Sequence, residues 1–528
     1  MSGTDDPTQE NEFLELEDNG QDLKVAVAIT DRLQEAKIRD PPKLFTKNMI
    51  LLYLYCIVGF SCSSLYGFDA SLMSTLLVMK PFQESFGADV DGIKAGYIVS
   101  LLQIGSVCAI PFIGVTLDKL GRRLGMFLGT LVVVLGVILE GTAAIHNNLG
   151  QFLGGRFFVG FGTALAFAAA ASYVVEIAHP AYRGVLSGLL NCTYDIGGIL
   201  ASGVTRATSK YTTSRAWVIP VYLQLLFSGI VVVSSLFVPE SPRWMYAHGK
   251  EDKAKQFLIK YHGNDDPENA FVQLQLLEFS ESLEVQDMRW WDFRELVRTK
   301  ADRFRLMNCL TFAVYSAWSG GGMGNYIGEF YISAGITNET TILNYTLGYN
   351  IYSAAFAYIG ASVCNKVNRR TLMMFGLVGM LICWIGTTVG TALFASTKSV
   401  TSARAGIAFY FLFATSYGVS LTPLCGLYPY EVLSYRQRAK GASLYSLVNS
   451  AAALVNQFGT PVSLERIGWK TYLILTCWMV VEVVWGYFTV VETRGFTLEE
   501  LDEIYKSKNP IKKSLEKSNL VESGEKSE

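Results

Sequence analysis

Charged side chains are scarce in this sequence. They make up 17% of its 528 residues, whereas 50% of the residues are hydrophobic and 13% are aromatic. A soluble chain of this length would not stay in solution easily with such a composition. The apolar residues are also clustered into segments, and about 20 of them in a row are needed to cross a bilayer core of about 30 Å. The composition therefore indicates a protein that crosses a membrane many times.

Other absences exclude whole classes of protein. The nine cysteines lie in or at the ends of apolar segments, which argues against a disulfide framework. The four histidines show no metal-ligand spacing, and we expect neither a metal nor another cofactor. There is no nucleophile elbow, phosphate-binding loop or dinucleotide fingerprint to indicate an enzyme, and no nucleic-acid module. The polar, acidic residues 1–47 lack the pattern of a removable signal peptide.

Twelve segments are long and apolar enough to be membrane spans. They cover roughly 48–70, 95–115, 124–144, 151–175, 185–205, 217–238, 304–333, 342–364, 371–394, 405–428, 441–461 and 469–491. We therefore expect a disordered cytoplasmic tail over 1–47, a six-helix bundle over 48–238, a second over 304–491 and a cytoplasmic tail over 492–528.

The loop 239–303 is the long polar interruption that separates six spans from six. Its pattern predicts short amphipathic helices near 250–262, 268–279 and 290–299. We expect a cytoplasmic plate that holds the two halves together and prefer it to a separate domain.

Charged motifs recur at nearly one interval in the two halves. D-K-L-G-R-R at 118–123 follows the second span, and N-K-V-N-R-R at 365–370 follows the eighth span 247 positions later. Further charged positions recur at matching span boundaries: Glu176 and Arg183 match Glu431 and Arg438, and Glu240 matches Glu492. This repetition indicates a duplicated six-helix unit.

The recurring motifs all lie on one side of the membrane. The basic central loop and the polar termini favour the cytoplasm for that side. Two glycosylation sequons, at Asn338 and Asn344, lie between the seventh and eighth spans on the opposite side. We therefore expect them to be exterior and glycosylated.

Seven motifs in order resemble the sugar porter family of the major facilitator superfamily, over residues 48–500. They are G-F-D at 67–69, D-K-L-G-R-R at 118–123, G-R-F-F-V-G-F-G at 155–162, E-I-A-H-P-A-Y-R-G at 176–184, P-E-S-P-R-W at 239–244, Y-P-Y-E-V at 428–432 with R-A-K-G at 438–441, and V-E-T-R-G at 491–495. The resemblance implies an all-α membrane protein with twelve helices in two pseudo-symmetric bundles. It also implies a monomeric carrier of a mono- or disaccharide in the plasma membrane, driven by proton symport.

Two segments resemble one branch of that family in particular. T-P-L-C-G-L-Y-P-Y-E-V at 422–432 and W-S-G-G-G at 318–322 are similar to the fungal lactose-permease-like hexose transporters. The sequence departs from the family at positions that would bind sugar hydroxyls. Amides typical of the family are replaced by Ala317, Gly321, Cys192 and Ser353.

The substrate and the mode of action therefore have alternatives. A polyol, a quinate-like acid or a secondary metabolite could be the solute instead of a sugar. A facilitator without proton coupling is another possibility. A non-transporting sugar sensor is a third, although such sensors tend to carry longer cytoplasmic tails than 492–528.

Two opposite charges are expected inside the membrane, Asp69 in the first span and Arg156 in the fourth. An isolated charge at the bilayer centre costs about 2.5 to 3.5 kcal/mol on the mildest scale, so the two are natural partners. By resemblance to proton-coupled sugar porters, Asp69 accepts the proton, and its protonation releases Arg156 and lets the halves rock. The alternative is a static ion pair that only packs the first half.

Polar residues in three other spans are candidates for solute binding. In the fifth span, Asn191 and Asp195 share one face, where Asp195 either faces the solute or packs as a structural acid. In the seventh span, three consecutive glycines after Trp318 and Ser319 predict a break near Asn325 and Tyr326, unless they serve close helix packing. In the eleventh span, Asn449 and Asn456 lie seven residues apart and nearly share a face.

The charged residues of the recurring motifs are interpreted as a cytoplasmic gate that is closed by ion pairs, in preference to a solvated face. The gate residues are Asp118, Arg122, Arg123, Glu176, Arg183, Glu240 and Arg243 in one half, and Arg369, Arg370, Glu431, Arg438, Glu492 and Arg494 in the other.

Overall fold

The computed structural model describes residues 35–87, 93–284, 293–364, 366–434, 437–494, 496 and 498–525. Within these ranges the chain is helical and has no strand. The helices are α1 (Lys47–Leu76), α2 (Lys80–Phe86), α3 (Ile93–Leu120), α4 (Arg122–His146), α5 (Leu149–Ile177), α6 (Arg183–Thr208), α7 (Arg215–Ser235), α8 (Pro242–Ala247), α9 (Glu251–Tyr261), α10 (Ala270–Glu284), α11 (Lys300–Trp318), α12 (Ile327–Ser333), α13 (Glu339–Cys364), α14 (Arg369–Thr397), α15 (Val400–Val432), α16 (Arg438–Ile467), α17 (Lys470–Thr489), α18 (Leu498–Lys506) and α19 (Pro510–Glu525).

Twelve of these helices have at least 19 residues, and they follow the twelve predicted spans in order. The predicted seventh span, 304–333, is divided between α11 and the short helix α12. Eight of the twelve are apolar enough by composition to cross a membrane. The remaining four long helices are α6, α11, α13 and α16, the fifth, seventh, eighth and eleventh spans. Helices that face a solvated cleft on one side do not need an apolar surface all round. The predicted all-α architecture with twelve long helices is confirmed for the described residues.

Close backbone contacts hold the helices of each half together. In the first half, α1 crosses α6 at Gly197, where an added Cβ would stand 1.9 Å from the carbonyl oxygen of Ser64. In the second half, α13 crosses α15 at Gly360, where a Cβ would stand 2.5 Å from the oxygen of Gly418. Small residues at helix crossings are the usual device in a bilayer, because lipid offers no hydrophobic drive for association.

The two halves touch at the ends of their helices opposite the recurring charged motifs. Arg206 at the end of α6 donates from Nε to Asn344 Oδ1 at 2.5 Å, on α13. The ring of Tyr97 on α3 lies 5.6 Å from that of Phe458 on α16. Deeper in the membrane, Asn350 Nδ2 donates to the hydroxyl of Ser202 at 3.2 Å. Side chains of both halves therefore meet at this end of the cleft between them.

Short helices cover the end of each half that carries the recurring charged motifs. The predicted loop helices near 250–262 and 268–279 correspond to α9 and α10, and α9 contacts α1 through the hydroxyls of Tyr261 and Tyr55, 3.2 Å apart. In place of the third predicted helix near 290–299, the described residues contain only a 3-10 turn, Arg294–Leu296. Residues 285–292 and 1–34 lie outside the described ranges.

The carboxyl-terminal tail folds back under the second half. Helices α18 and α19 occupy most of the segment that the sequence predicted only as a charged tail. Asp502 of α18 is paired with Arg305, and the hydroxyl of Tyr505 accepts from Asn308 Nδ2 at 3.2 Å. Leu501, Ile504 and Tyr505 are buried. The amphipathic face of α18 therefore packs on the amino-terminal part of α11.

Candidate functional site

An ion pair is buried between α1 and α5. Arg156 donates from an η nitrogen to Asp69 Oδ1 at 2.5 Å, and the two side chains are 1% and 0% exposed. The second oxygen, Asp69 Oδ2, is buried and has no hydrogen-bond partner among the described residues. The structure thus brings together the two intramembrane charges that the sequence singled out. Neither charge can be hydrated at this depth, so each depends on the other for stabilisation.

A second carboxylate lies beside this pair. Glu140 of α4 is fully buried, and its Oε1 is 3.9 Å from the same η nitrogen of Arg156. The buried amide of Gln224 on α7 stands next to it. Gly155 makes room for Glu140, because a Cβ there would come within 2.6 Å of Glu140 Cγ. Sequence reasoning missed Glu140, although an acid inside an apolar span was the signal that could have found it.

The three charged groups suit the uptake of one proton. With both carboxylates ionised, the group of Asp69, Glu140 and Arg156 carries one net negative charge. One proton makes it neutral. A region of low dielectric constant penalises net charge, so the group can alternate between these two states as water access changes.

The seventh span is interrupted at its glycines, as the sequence predicted. Helix α11 ends at Trp318, the 3-10 turn Gly321–Tyr326 follows, and α12 continues from Ile327. Gly320 has φ 111°, in the left-handed region that favours glycine. A Cβ at this position would also stand 2.4 Å from the indole of Trp384. Glycine is therefore required here both by the backbone turn and by the close approach of a large ring.

Helix α16 hydrogen-bonds to the end of α11 through three of the predicted solute-binding residues. Asn449 Oδ1 accepts from Ser316 Oγ at 2.6 Å. Asn456 Nδ2 donates to the carbonyl oxygen of Ala317 at 2.6 Å. Trp318 Nε1 donates to a carbonyl of α16 at 2.8 Å. These contacts hold the end of α11, at Trp318, against α16, so that Asn449 and Asn456 lie beside it.

Two further predicted residues lie in the 3-10 turn. Tyr326 is buried, and its hydroxyl donates to the carbonyl oxygen of Gln457 at 2.5 Å. Asn325 is half-buried, and no described residue hydrogen-bonds to its side chain. Asn325 therefore has an amide that remains available to a solute.

On α6, the predicted polar face turns toward the second half. Asn191 is exposed, and its Nδ2 would be 3.7 Å from a Cβ placed on Gly426 of α15. Asp195 lies close to Tyr358 of α13 and forms neither an ion pair nor a hydrogen bond with described residues. The Gly198 carbonyl oxygen accepts from Asn350 Nδ2 at 3.4 Å. The face thus borders the cleft between the halves.

A compact polar cluster lies in the first half at the start of α4. Glu240 accepts from the backbone N–H of Arg122 at 3.0 Å and of Arg123 at 3.2 Å. Arg122 forms an ion pair with Glu176 at 2.9 Å. Glu176 also accepts from the hydroxyl of Ser241. Glu240 thereby caps the amino terminus of α4, where unpaired N–H groups and the helix dipole favour a negative charge.

The second half repeats this arrangement. Glu492 accepts from the backbone N–H of Arg369 at 2.8 Å and of Arg370 at 3.0 Å, at the start of α14. Arg369 forms an ion pair with Glu431 at 3.1 Å, and Glu431 accepts from the Thr493 hydroxyl at 2.5 Å. The recurrence seen in the sequence is therefore a recurrence of three-dimensional contacts, as expected of a duplicated unit.

Comparisons with known proteins identify the family of this chain. The model of a family described as "Sugar (and other) transporter" matches residues 55–505. The chain belongs to the sugar porter family. Its fold is that of the major facilitator superfamily, and members of this family are membrane transporters and not enzymes.

Two relatives of this sugar porter are named after different solutes, quinate and glucose. It is 27% identical over 465 residues to the MFS-type transporter oryC of Aspergillus oryzae, a match that covers 85% of this chain and 84% of that protein. It is 25% identical over 486 residues to the quinate permease of Emericella nidulans, with 87% and 89% covered. It is 24% identical over 487 residues to the high-affinity glucose transporter of Kluyveromyces lactis, with 87% of each chain covered.

Among solved structures, the sugar porter resembles the xylose transporter XylE from E. coli in its inward-open conformation. The TM-score is 0.70 and the identity 17%, over 86% of this chain and 100% of that one. The likeness is one of fold. The membership that the seven sequence motifs indicated is confirmed, whereas the lactose-permease-like branch stays a prediction.

The other residues of the predicted gate surround the two polar clusters of this sugar porter. Asp118 and Arg243 are exposed. Arg183 is half-buried at the start of α6, with Glu176 among the charges nearest to it. Arg494 donates from its backbone N–H to Glu492 at 3.0 Å. The side chain of the remaining gate residue, Arg438, lies outside the described part of the structure.

The ion pairs of Arg122 and Arg369 each join two residues of the same half. The residues predicted to form a gate therefore lie in two clusters, one in each half. Whether they close the cytoplasmic mouth together stays a prediction.

The two sequons differ in their surroundings. Asn338 is exposed immediately before α13, and its side chain accepts from the backbone N–H of Thr341 at 3.1 Å. Asn344 lies inside α13, its side-chain oxygen accepts from Arg206, and Thr346 of the same sequon is 1% exposed. Asn344 is itself in contact with the other half, and Asn338 lies six residues before it. Their glycosylation stays a prediction, and the surroundings favour Asn338.

Sequence reasoning also missed a buried acid in the last span. Glu482 of α17 is 1% exposed. Its Oε2 accepts from the hydroxyl of Ser319 at 2.5 Å, and its Oε1 accepts from Trp478 Nε1 at 2.6 Å. A single glutamate in an apolar span again marked the position. Its contact with the break of the seventh span depends on the tertiary fold and has no counterpart in the sequence pattern.

Proposed function

We propose that this chain is a proton symporter that moves a sugar across the plasma membrane by alternating access. The observation that carries the proposal is the buried group of Asp69, Arg156 and Glu140, in which two carboxylates share one guanidinium. A facilitator needs no such group, because charges buried in a bilayer cost free energy and are kept where they do work.

The proton and the solute bind at different places in the protein during one transport step. Protonation neutralises the carboxylates and loosens the hold of Arg156, so that α1 and α5 can shift relative to each other. The solute binds in the cleft between the halves. Its candidate ligands are Asn191 and Asp195 on α6, Trp318, Asn325 and Tyr326 at the break, and Asn449 and Asn456 on α16. Amides and aromatic rings suit hydroxyl groups and the apolar faces of a sugar ring.

The gate role belongs to the two cytoplasmic clusters. When the halves rock, the clusters under α4 and α14 approach or separate as units, because their internal hydrogen bonds fix each of them to its own half. The closed mouth then gains attractions between opposite charges of the two clusters. We further propose that the chain is a monomer with both termini in the cytoplasm.

A quinate-like acid is the second candidate solute. The quinate permease of Emericella nidulans is as similar to this chain as the glucose transporter of Kluyveromyces lactis. The amides that the resemblance leads one to expect are replaced at Ala317, Gly321, Cys192 and Ser353. Ala317 presents its backbone oxygen to Asn456, so this site recognises its solute with fewer side-chain amides.

Uptake of a labelled panel tests both proposals. Hexoses, disaccharides, polyols and quinate are offered to a transporter-deficient host that expresses the protein, with and without a protonophore. We expect a sugar to accumulate and the protonophore to abolish its accumulation. Accumulation of quinate alone supports the second candidate. Equilibration that the protonophore does not change contradicts symport, and failure of the whole panel contradicts both solutes.

A further inference from the structure

A carboxylate without a cationic partner is buried in the second half. Glu482 is 1% exposed, and its two oxygens accept hydrogen bonds from Ser319 and Trp478. Within the described residues, no lysine, arginine or histidine lies at ion-pair distance from it. The first half differs, because its two buried carboxylates have Arg156 as a partner.

The side chains that face Glu482 are neutral. Tyr315 of α11 donates to the backbone oxygen of Glu482 at 2.9 Å. Tyr417 and Cys425 of α15 are the other titratable groups close to it. None of them is charged at neutral pH. Two donated hydrogen bonds stabilise a carboxylate in part, but they leave its charge uncompensated in a region of low dielectric constant.

Both hydrogen bonds of Glu482 lead to the break of the seventh span. Ser319 is the first residue after α11 and precedes Gly320, where the backbone turns. The ring of Trp478 lies 5.1 Å from that of Trp318, the last residue of α11. The carboxylate of Glu482 therefore contacts the break directly through Ser319. It also contacts the last residue of α11, Trp318, indirectly through the ring of Trp478.

A cavity leads to the carboxylate from the cytoplasmic side. It has a volume of about 660 Å³ and lies between α11 and α17. Its lining begins at Val297 and Arg303, near the cytoplasmic start of α11, and reaches Tyr315 and Glu482. Most of the lining is apolar, and Val481 and Trp485 in it are half exposed, so a small apolar reagent can approach Glu482 without passing through the central cleft.

We propose that Glu482 is a second proton-binding site, which sets the geometry of the break in the seventh span. This inference rests on the proposed transport function, since the break borders the candidate solute site. The ionised carboxylate holds the hydroxyl of Ser319. A proton added to one of its oxygens removes the negative charge, weakens that hold and frees the hydroxyl for a solute.

Carbodiimide labelling tests whether Glu482 takes up a proton. Dicyclohexylcarbodiimide is apolar and reacts with protonated carboxyls. The acid proton goes to a carbodiimide nitrogen, the carboxylate oxygen adds to the central carbon, and rearrangement leaves a stable N-acylurea. Peptide mass spectrometry of the detergent-solubilised protein then distinguishes Glu482 from Asp69 and Glu140.

We expect labelling of Glu482 to be high near about pH 5 and to fall at least about tenfold toward about pH 9, because only the protonated carboxyl reacts and a buried negative charge without a cation is costly to form. Absence of labelling, or labelling that does not change over this range, overturns the proposal. This measurement uses the unaltered chain and needs no solute, so it is independent of whether the transport proposal holds.

Hydrogen exchange of the segment 319–326 tests the coupling to the break. Glu482→Gln mimics the protonated state, and Glu482→Asp keeps a titrating group as its matched control. At about pH 8 the amides of this segment should exchange at least about fivefold faster in E482Q than in the unaltered chain, a difference within the range of known couplings. At about pH 5 the two should agree.

Equal exchange at both pH values overturns the coupling, even if Glu482 is labelled. If E482Q does not fold, the exchange rates of 319–326 are measured at the two pH values in the unaltered chain and in E482D. These rates are corrected for the intrinsic effect of pH on amide exchange. The same fivefold change with pH is then expected in the unaltered chain, and a constant rate contradicts the proposal.

Discussion

Replacing Asp69 with asparagine should abolish uphill accumulation of the solute while exchange of solute across the membrane continues. Asparagine cannot take up a proton, whereas Arg156 and Glu140 remain 3.9 Å apart and can neutralise each other. The group then stays neutral in every step, so rocking of the halves no longer requires a proton. A proton that moves down 100 mV supplies about 2.3 kcal/mol, which supports roughly fiftyfold accumulation at one proton per solute.

The assay uses proteoliposomes with an imposed membrane potential. Accumulation is measured as the uptake of labelled solute while the potential is imposed. Exchange is measured as the uptake of labelled solute into proteoliposomes that contain unlabelled solute. In D69N the accumulation ratio should fall from about fifty toward one. Asp252→Asn, at an exposed position of α9, is the matched carboxyl-to-amide control and should accumulate solute as the unaltered chain does.

The companion variant Glu140→Gln probes the same group from the other side. When Asp69 takes up a proton in this variant, the charge of Arg156 has no buried partner left, and protonation becomes costly. Accumulation should therefore fall in E140Q as well. Retention of fiftyfold accumulation in D69N would refute the reasoning, because the proton would then be bound elsewhere.

Three further outcomes are expected outside the membrane. Burial lowers the pKa of His262 to about 4, so this side chain stays neutral in the folded protein. Because the pKa of an unfolded histidine, about 6.5, is higher, the folded state loses stability as the pH falls below that value, by about 2 kcal/mol at pH 5. In His262→Asn the unfolding temperature should therefore depend less on pH than in the unaltered chain. Glu240→Gln and Glu492→Gln should each lower stability by about 1 to 2 kcal/mol, since each removes a charged helix cap, and unequal losses would contradict equivalent roles. In a glycosylating host, Asn338→Gln should remove the glycan that glycosidase digestion reveals, whereas Asn344→Gln should not.

The spans and the repeat could be predicted because they are properties of local sequence. A membrane requires long apolar segments, and many of the predicted boundaries lie within a few residues of the helices, as for 149–177 against the expected 151–175. The seventh span is the exception, because α11 ends at Trp318 and not near 333. The break after Trp318 was also predictable, since consecutive glycines weaken a helix wherever they stand. The ion pair of Asp69 and Arg156 followed from the cost of burying each charge alone.

The missed features depend on contacts between distant segments. Glu140 and Glu482 are single acids in apolar spans, and only the packing of α4 against α5 and of α17 against α11 shows what they touch. The tail was predicted from its charges, yet Leu501, Ile504 and Tyr505 are spaced to bury one face of a short helix. Such a face becomes interpretable only when the surface that covers it is known.

The most direct test of proton symport is the proton movement that accompanies solute entry. The purified protein is placed in lightly buffered proteoliposomes without an imposed potential, and solute identified by the uptake panel is added outside. We predict that the external medium becomes alkaline, with about one proton taken up per solute molecule. Solute entry at the same rate with no change in external pH would contradict the account.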